Sequence, residues 1–335
     1  METGDVYTEL VKRLNYTGSE SLLRVLQKLF TPDEGRLLLQ LPAEPSDLAR
    51  KSGTDEETVQ RKLEEFMERG LVIPTSKGFC FARDVTQLHD STLSSDEKWI
   101  DTEILDLWKE LQETEWIQRM ASGLGDSYVQ FIRVLPAWKA IERSPEISDG
   151  ELLPEENIRE LIKGADHIAV IPCSCRRSMR GCDAPIDVCL QFNRGAEYAI
   201  NRGAGNRISA EEAVAIADRA EDVGLIHTWP MAAYGRLNEI CNCCRDCCAI
   251  FAIGIKLGNM EQILEKSRFR AEVDQELCNG CQDCVERCFF EAIEMKKSST
   301  SRKLKATIDL AKCFGCGLCA VVCDPGAIIM KVEQA

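Results

Sequence analysis

The chain of 335 residues lacks the features that would send it to a membrane or to nucleic acid. No apolar run reaches the roughly 20 residues a spanning helix needs. Met1 to Leu14 mixes charged and apolar residues where a secretory signal would carry an apolar core, so a cytoplasmic location is expected. Excess positive charge is missing too. The formal net charge is −14, which opposes adhesion to nucleic acid or anionic lipid and suits neutral or basic protein partners. There is no Cys-x-x-Cys-His for covalent haem. Gly123-Leu124-Gly125 is preceded by no predicted strand and lacks the third glycine of a dinucleotide fingerprint, and Gly203-Ala204-Gly205 does not qualify either.

What the chain has is cysteine, eighteen in all. In a reducing compartment these are read as ligands rather than disulfides. Eight stand in two tandem runs, Cys278, Cys281, Cys284, Cys288 and Cys313, Cys316, Cys319, Cys323, each C-x2-C-x2-C-x3-C, with every cysteine offset by 35 positions. Each run follows a short alternating segment (Ala271 to Val273; Ala306 to Ile308) and precedes an Ala-Ile pair (Ala292-Ile293; Ala327-Ile328). That order predicts strand, loop, helical turn and strand in each copy. Tandem zinc sites are the competing reading, but they have no need of a third CxxC step.

The repeat resembles the bacterial two-[4Fe-4S] ferredoxin domain. The resemblance implies two [4Fe-4S] clusters with crossed ligation: Cys278, Cys281, Cys284 and Cys323 on one, Cys313, Cys316, Cys319 and Cys288 on the other. The family's proline directly after the fourth cysteine is absent; Phe289 follows Cys288, and Asp324 separates Cys323 from Pro325. This departure touches the turn after the ligand and leaves the ligand set intact.

Nine more cysteines fall in two bursts: Cys173, Cys175, Cys182 and Cys189, then Cys241, Cys243, Cys244, Cys247 and Cys248. Thiolates at this density select iron–sulfur clusters, zinc or copper(I). Beside eight thiolates already assigned to iron–sulfur chemistry, one or two further clusters are the economical expectation; a zinc site with buried cysteines is the alternative. Arg176, Arg177 and Arg245 would either stabilise a negatively charged cluster or pair with Asp183, Asp187 and Asp246. His227 is open between ligand, proton donor and core residue. The succession of Pro172-Cys173-Ser174-Cys175-Arg176, the CNCCxxCC run from Cys241 and the ferredoxin tail resembles a group of multidomain 4Fe-4S proteins of anaerobes, which implies redox work without naming a reaction.

Upstream, Ser21 to about Ser91 reads as three helices and a hairpin, an order that resembles a winged helix, with Leu48, Val59, Leu63, Phe66, Leu71 and Val72 as its core. Residues 1–95 hold 12 Lys and Arg against 16 Asp and Glu, and the would-be recognition helix opens Asp55-Glu56-Glu57. DNA reading is therefore disfavoured against protein docking or homo-oligomerisation. Cys80, alone in an apolar strand, reads as a small hydrophobe. One long helix is expected from Ser95 to Gly123 and another from Tyr128 to Arg143, broken at Pro136. Farther on, a helix is expected after Cys189 through Tyr198, one opened by Ser209 with Glu212 in a capping box, a strand over Gly224 to Thr228 and an apolar helix from Ala249 to Leu257. Lys296, Lys297, Arg302, Lys303 and Lys305 form a basic loop, either solvated or docking an acidic carrier.

The expected architecture is α+β and multidomain: a winged-helix-like module (1–92), a helical connector (93–150), a cysteine-rich iron–sulfur domain (151–265) and a two-[4Fe-4S] ferredoxin-like domain (266–335). Three functions fit it. The first is an electron-transfer protein or subunit serving a partner oxidoreductase or soluble carrier; the second is an iron–sulfur oxidoreductase with its own substrate site; the third is a redox-sensing regulator.

Overall fold

The computed structural model describes residues 5–148, 151–230, 238–297 and 303–333. Its mixture of helices and small sheets is α+β. Five helices open the chain: α1 (Val6–Arg13), α2 (Glu20–Leu29), α3 (Pro32–Leu38), α4 (Pro45–Ser52) and α5 (Glu56–Glu68). Side chains at their starts explain where they begin. Ser19 caps α2, Thr31 and Glu34 form a reciprocal capping box on α3, and Asp55 caps α5. The hairpin β1 (Val72–Thr75) and β2 (Gly78–Phe81) follows, and Ala43 bridges to Phe79 as a third short strand. Leu48, Val59, Leu63, Phe66, Leu71 and Val72 are all buried between these elements. Cys80 sits half-buried in β2 opposite Ile73.

After α6 (Val85–Leu93) the expected long helix begins only at Thr102, capped by Asp101; Ser95 to Asp101 holds no more than a single 3-10 turn. It runs as α7 (Thr102–Leu111), a π segment (Gln112–Trp116) and α8 (Ile117–Leu124), with Trp108 and Trp116 buried against the amino-terminal helices.

The helix expected over Tyr128 to Arg143 is corrected: Ile132–Val134 is strand β3, and only Trp138–Glu142 (α9) is helical. The stretch 93–150 is therefore not helical throughout. In β3 Arg133 is buried and pairs with buried Glu156 at 3.0 Å, so a charged residue interrupts what would otherwise read as an apolar strand.

Beyond α10 (Ile158–Lys163) come β4 (Ile168–Pro172), α11 (Ser174–Met179), β5 (Asp187–Phe192), α12 (Arg194–Asn201), β6 (Asn206–Arg207), α13 (Ala210–Asp222), β7 (Ile226–Pro230), β8 (Glu239–Cys243), α14 (Ala249–Leu257) and β9 (Leu264–Glu265). The strands and β3 form one seven-stranded sheet in the order β6-β4-β5-β8-β7-β3-β9. Cys189 lies within β5 and the helix expected after it begins at Arg194, while Cys241 and Cys243 lie on β8. The Ser209–Glu212 capping box stands as read, on α13.

The last part of the chain is β10 (Phe269–Val273), α15 (Asp283–Arg287), β11 (Ile293–Lys297), β12 (Leu304–Ile308), α16 (Leu318–Val321) and β13 (Ile328–Val332). Pairing is crossed: β10 with β13 and β11 with β12. Each two-stranded sheet thus takes one strand from each repeat.

Candidate metal centres

The crossed pairing puts the cysteines of the two repeats around two separate cavities. Cys278, Cys281, Cys284 and Cys323 line one; Cys288, Cys313, Cys316 and Cys319 line the other. These are the two crossed sets that the ferredoxin resemblance implies. The loops depend on left-handed glycines. Gly315 has φ +70°, and a Cβ there would lie 2.1 Å from both the Phe269 carbonyl oxygen and Ser267 Oγ. Burial pushes the Cys284 thiol up to about 11 and Cys316 up to about 12, with neighbouring cysteines adding to the rise in each case. Such a set ionises together only if a cationic centre compensates it, and in that respect the donor set fits iron–sulfur ligation.

Lys305 is a correction to the basic loop. It lies in β12, is buried, and donates from Nζ to the Cys278 carbonyl oxygen. Lys296 and Lys297 are on β11, and Arg302 lies outside the described residues.

The nine middle cysteines are gathered by the end of β4, α11 and the loop after it, β5, β8 and the turn before α14. Cys173 follows β4, and Cys189 Sγ on β5 lies 4.0 Å from Cys241 Sγ on β8. Cys243 interacts with both Cys241 and Cys248, and Cys248 with Cys175. Cys182, Cys244 and Cys247 form a distinct trio.

Of the three arginines singled out, only Arg176 serves the thiols. It is buried, with Nη1 donating to the Asn242 carbonyl oxygen at 2.9 Å and Nε and Nη2 buried without a hydrogen-bond partner. Burial works against its charge, yet the sulfurs of Cys173, Cys244 and Cys243 hold it firmly protonated. Arg177 instead donates to the Leu93 and Ser95 carbonyls, and Arg245 pairs with Glu291.

His227 is a core residue. Its Nδ1 meets Asn242 Oδ1 at 2.5 Å and its Nε2 meets Glu221 Oε1 at 3.1 Å, all three residues buried. Glu221 also accepts from the backbone N–H of Trp138 and Lys139. The network fixes Asn242, and therefore the β8 positions of Cys241 and Cys243 on either side of it.

Residues absent from the sequence reading border the same site. From α6, His89 and Asp90 reach α11: His89 Nε2 lies 3.3 Å from Ser178 Oγ, Asp90 accepts from Ser174 Oγ at 2.7 Å, and both gather with Cys175. Glu239 accepts from Gln191, whose amide also faces Cys189 Sγ. Burial, reinforced by the negative charge of Asp90, pushes the Glu239 carboxyl up to about 7. Nothing in local spacing marks these residues, because they arrive through packing between distant helices and strands.

The middle and last parts share one apolar core. A chain of rings leads from α14 to the second cavity: Phe251 and Phe289 stack at 4.7 Å, Phe289 and Phe290 meet at 4.7 Å, and Phe290 and Phe314 stack at 4.2 Å. Phe290 and Phe314 line that cavity, and Cys248 belongs to the same core, with Cys243 packed against it. The Ala137 N–H also donates to the Cys316 carbonyl at 2.9 Å.

Among known families, the model of a 4Fe-4S dicluster domain matches residues 277–327, which supports a carboxy-terminal ferredoxin-like iron–sulfur domain. Neither a curated protein nor a solved structure matches the chain. No helix among the described residues is long and apolar enough to cross a membrane.

Proposed function

We propose that the chain is an iron–sulfur electron-transfer protein or subunit. In this reading its two carboxy-terminal cavities hold [4Fe-4S] clusters that exchange low-potential electrons with the middle cysteine domain and with a partner oxidoreductase or soluble carrier. The observation that carries it is the phenylalanine-lined core between Cys248 and the cavity of Cys288, Cys313, Cys316 and Cys319. Bound clusters supply the one-electron chemistry; the chain supplies spacing, burial and hydrogen bonds. In the middle domain the thiols available to another cluster are Cys173, Cys175, Cys189, Cys241, Cys243 and Cys248, and Arg176 lies beside Cys173 and Cys243.

The amino-terminal helices and bridged hairpin fit a winged-helix-like docking or dimerisation module. The helix that would read DNA opens with exposed Asp55, Glu56 and Glu57, which would set carboxylates against phosphates. A substrate site in the middle domain is the second reading, favoured by His89, Asp90 and Glu239 gathered beside the thiols.

The test is iron and acid-labile sulfide per chain on protein purified without oxygen, with low-temperature EPR after stepwise reduction. Twelve or more irons, on the order of four per cluster, with spin coupling between the two domains, is the expected result. About eight irons would confine clusters to the repeat and sink the internal relay.

A further inference from the structure

Close sulfur pairs occur elsewhere among the middle cysteines, as at Cys189 and Cys241, but among the described residues Cys182, Cys244 and Cys247 are the set of three that are mutually close. Cys182 Sγ lies 3.7 Å from Cys244 Sγ and 3.8 Å from Cys247 Sγ, and all three sulfurs fall within 4.8 Å of one another. Thiolates at about 2.3 Å around one tetrahedral zinc ion stand roughly 3.8 Å apart. Thiolates of an iron–sulfur cube each cap a different iron and must stand farther apart. Among the described residues, no trio as tight as this one surrounds either carboxy-terminal cavity.

The local chain agrees with the spacing. Cys244 and Cys247 form a C-x2-C step on the turn between β8 and α14, the step common in zinc sites. Cys182 closes on them from the loop after α11, where Gly181 lies against Asp246 and Cys247. Backbone N–H groups of Gly181 and Ala184 donate to the Cys247 and Cys182 sulfurs. Three thiolates on a divalent ion leave one negative charge, and the buried Arg176 guanidinium beside Cys244 balances it.

We propose that Cys182, Cys244 and Cys247 bind one zinc ion, separate from every iron–sulfur cluster, with the fourth coordination position open to a non-protein ligand. No fourth His, Cys, Asp or Glu atom joins the trio within the same distance among the described residues, and Cys182 is half-exposed. Three protein ligands and one open position is the pattern of zinc sites that bind water or a substrate. The inference stands apart from the electron-transfer reading, because iron and sulfide decide that one and zinc decides this one.

The experiment is elemental analysis and zinc K-edge absorption on the full chain purified without oxygen, beside Cys182→Ser and Cys247→Ser. The expected result is about one zinc per chain with three sulfurs at about 2.3 Å and one lighter atom at about 2.0 Å, and at least a tenfold loss of zinc in each variant with iron unchanged. A four-sulfur shell, a loss of iron in either variant, or no bound zinc in the parent protein would each overturn it. The absorption measurement needs no variant and so decides the matter even where a substitution prevents folding.

Discussion

The two cysteine regions of this chain gather their sulfurs in opposite ways. In the carboxy-terminal repeat the sulfurs are held apart around two cavities, and the resolved thiol shifts there run upward from burial. In the middle domain sulfurs touch and their proton affinities split. The hydrogen bond from Cys247 pulls Cys244 down to about 5 against the effect of burial, with Arg176 helping, while burial raises Cys182. A repeat carries most of the cysteines of one cavity within a few residues of sequence, and only the last cysteine of each run lines the other cavity. The middle sites are instead assembled by sheet order, with polar contacts such as His227–Asn242 setting the register of the cysteine strand. The first arrangement follows from local spacing, and the second depends on residues brought together from distant parts of the sequence.

The sharpest way to break this comparison is to remove a crossed ligand. Cys323→Ala should cost the cavity of Cys278, Cys281 and Cys284 its cluster, a loss of up to about four irons with one EPR signal gone, and Cys288→Ala should do the same to the other cavity. If Cys323→Ala instead removed the signal tied to Cys313, Cys316 and Cys319, the crossed assignment would be wrong.

For the middle domain the equivalent blow falls on a residue that is no ligand. His227→Ala leaves buried Glu221 without its imidazole partner and frees Asn242 between Cys241 and Cys243. The expected cost is roughly 3 kcal/mol of stability, read by thermal unfolding, together with a change in the visible spectrum of the middle site. Unchanged stability and spectrum would show that the sheet places β8 without this network.

That contrast also explains what could be read beforehand. The repeat was legible because period, spacing and strand alternation coincide within 35-residue copies. The amino-terminal core was legible through helical periodicity and its turn glycines. β3 was not, since three residues with a buried arginine at the centre give no alternation to detect, and Pro136 suggested a kinked helix instead. The strands that carry Cys189 and Cys241, β5 and β8, were not either, because clustered cysteines mask their apolar pattern. His89, Asp90 and Glu221 carry no local signal at all, and only packing brings them to the site.

A subtler difference lies inside the repeat itself. Lys305 donates to the Cys278 carbonyl, whereas its counterpart one repeat earlier, Arg270, is turned to the Ser267 and Phe269 carbonyls and to Glu333. One cavity therefore has a buried ammonium beside a ligand backbone, and the two should differ in reduction potential. Replacing Lys305 by Met should lower the potential of the Cys278 cavity by on the order of 50–100 mV and leave the other nearly unmoved. EPR-monitored redox titration reads both, and equal shifts would sink the asymmetry.

The smallest effect belongs to the arginine that lies within the second cysteine burst. Arg245 is exposed, pairs with Glu291 at 3.0 Å and lies over the Phe289 ring at 5.7 Å, so it joins the surfaces of the two regions without facing a thiol trio. An exposed pair with a ring contact contributes at most about 1 kcal/mol. Arg245→Gln should therefore shift thermal unfolding slightly and leave zinc, iron and the optical spectrum as they were. Arg176→Gln is the internal control. It empties the buried position beside Cys173, Cys243 and Cys244, and it should disturb the middle-site spectrum even at equal stability. A spectral change in Arg245→Gln that matched the one in Arg176→Gln would mean that charge reaches the middle thiols through the interface as readily as from within. The two regions would then be one electrostatic unit rather than two.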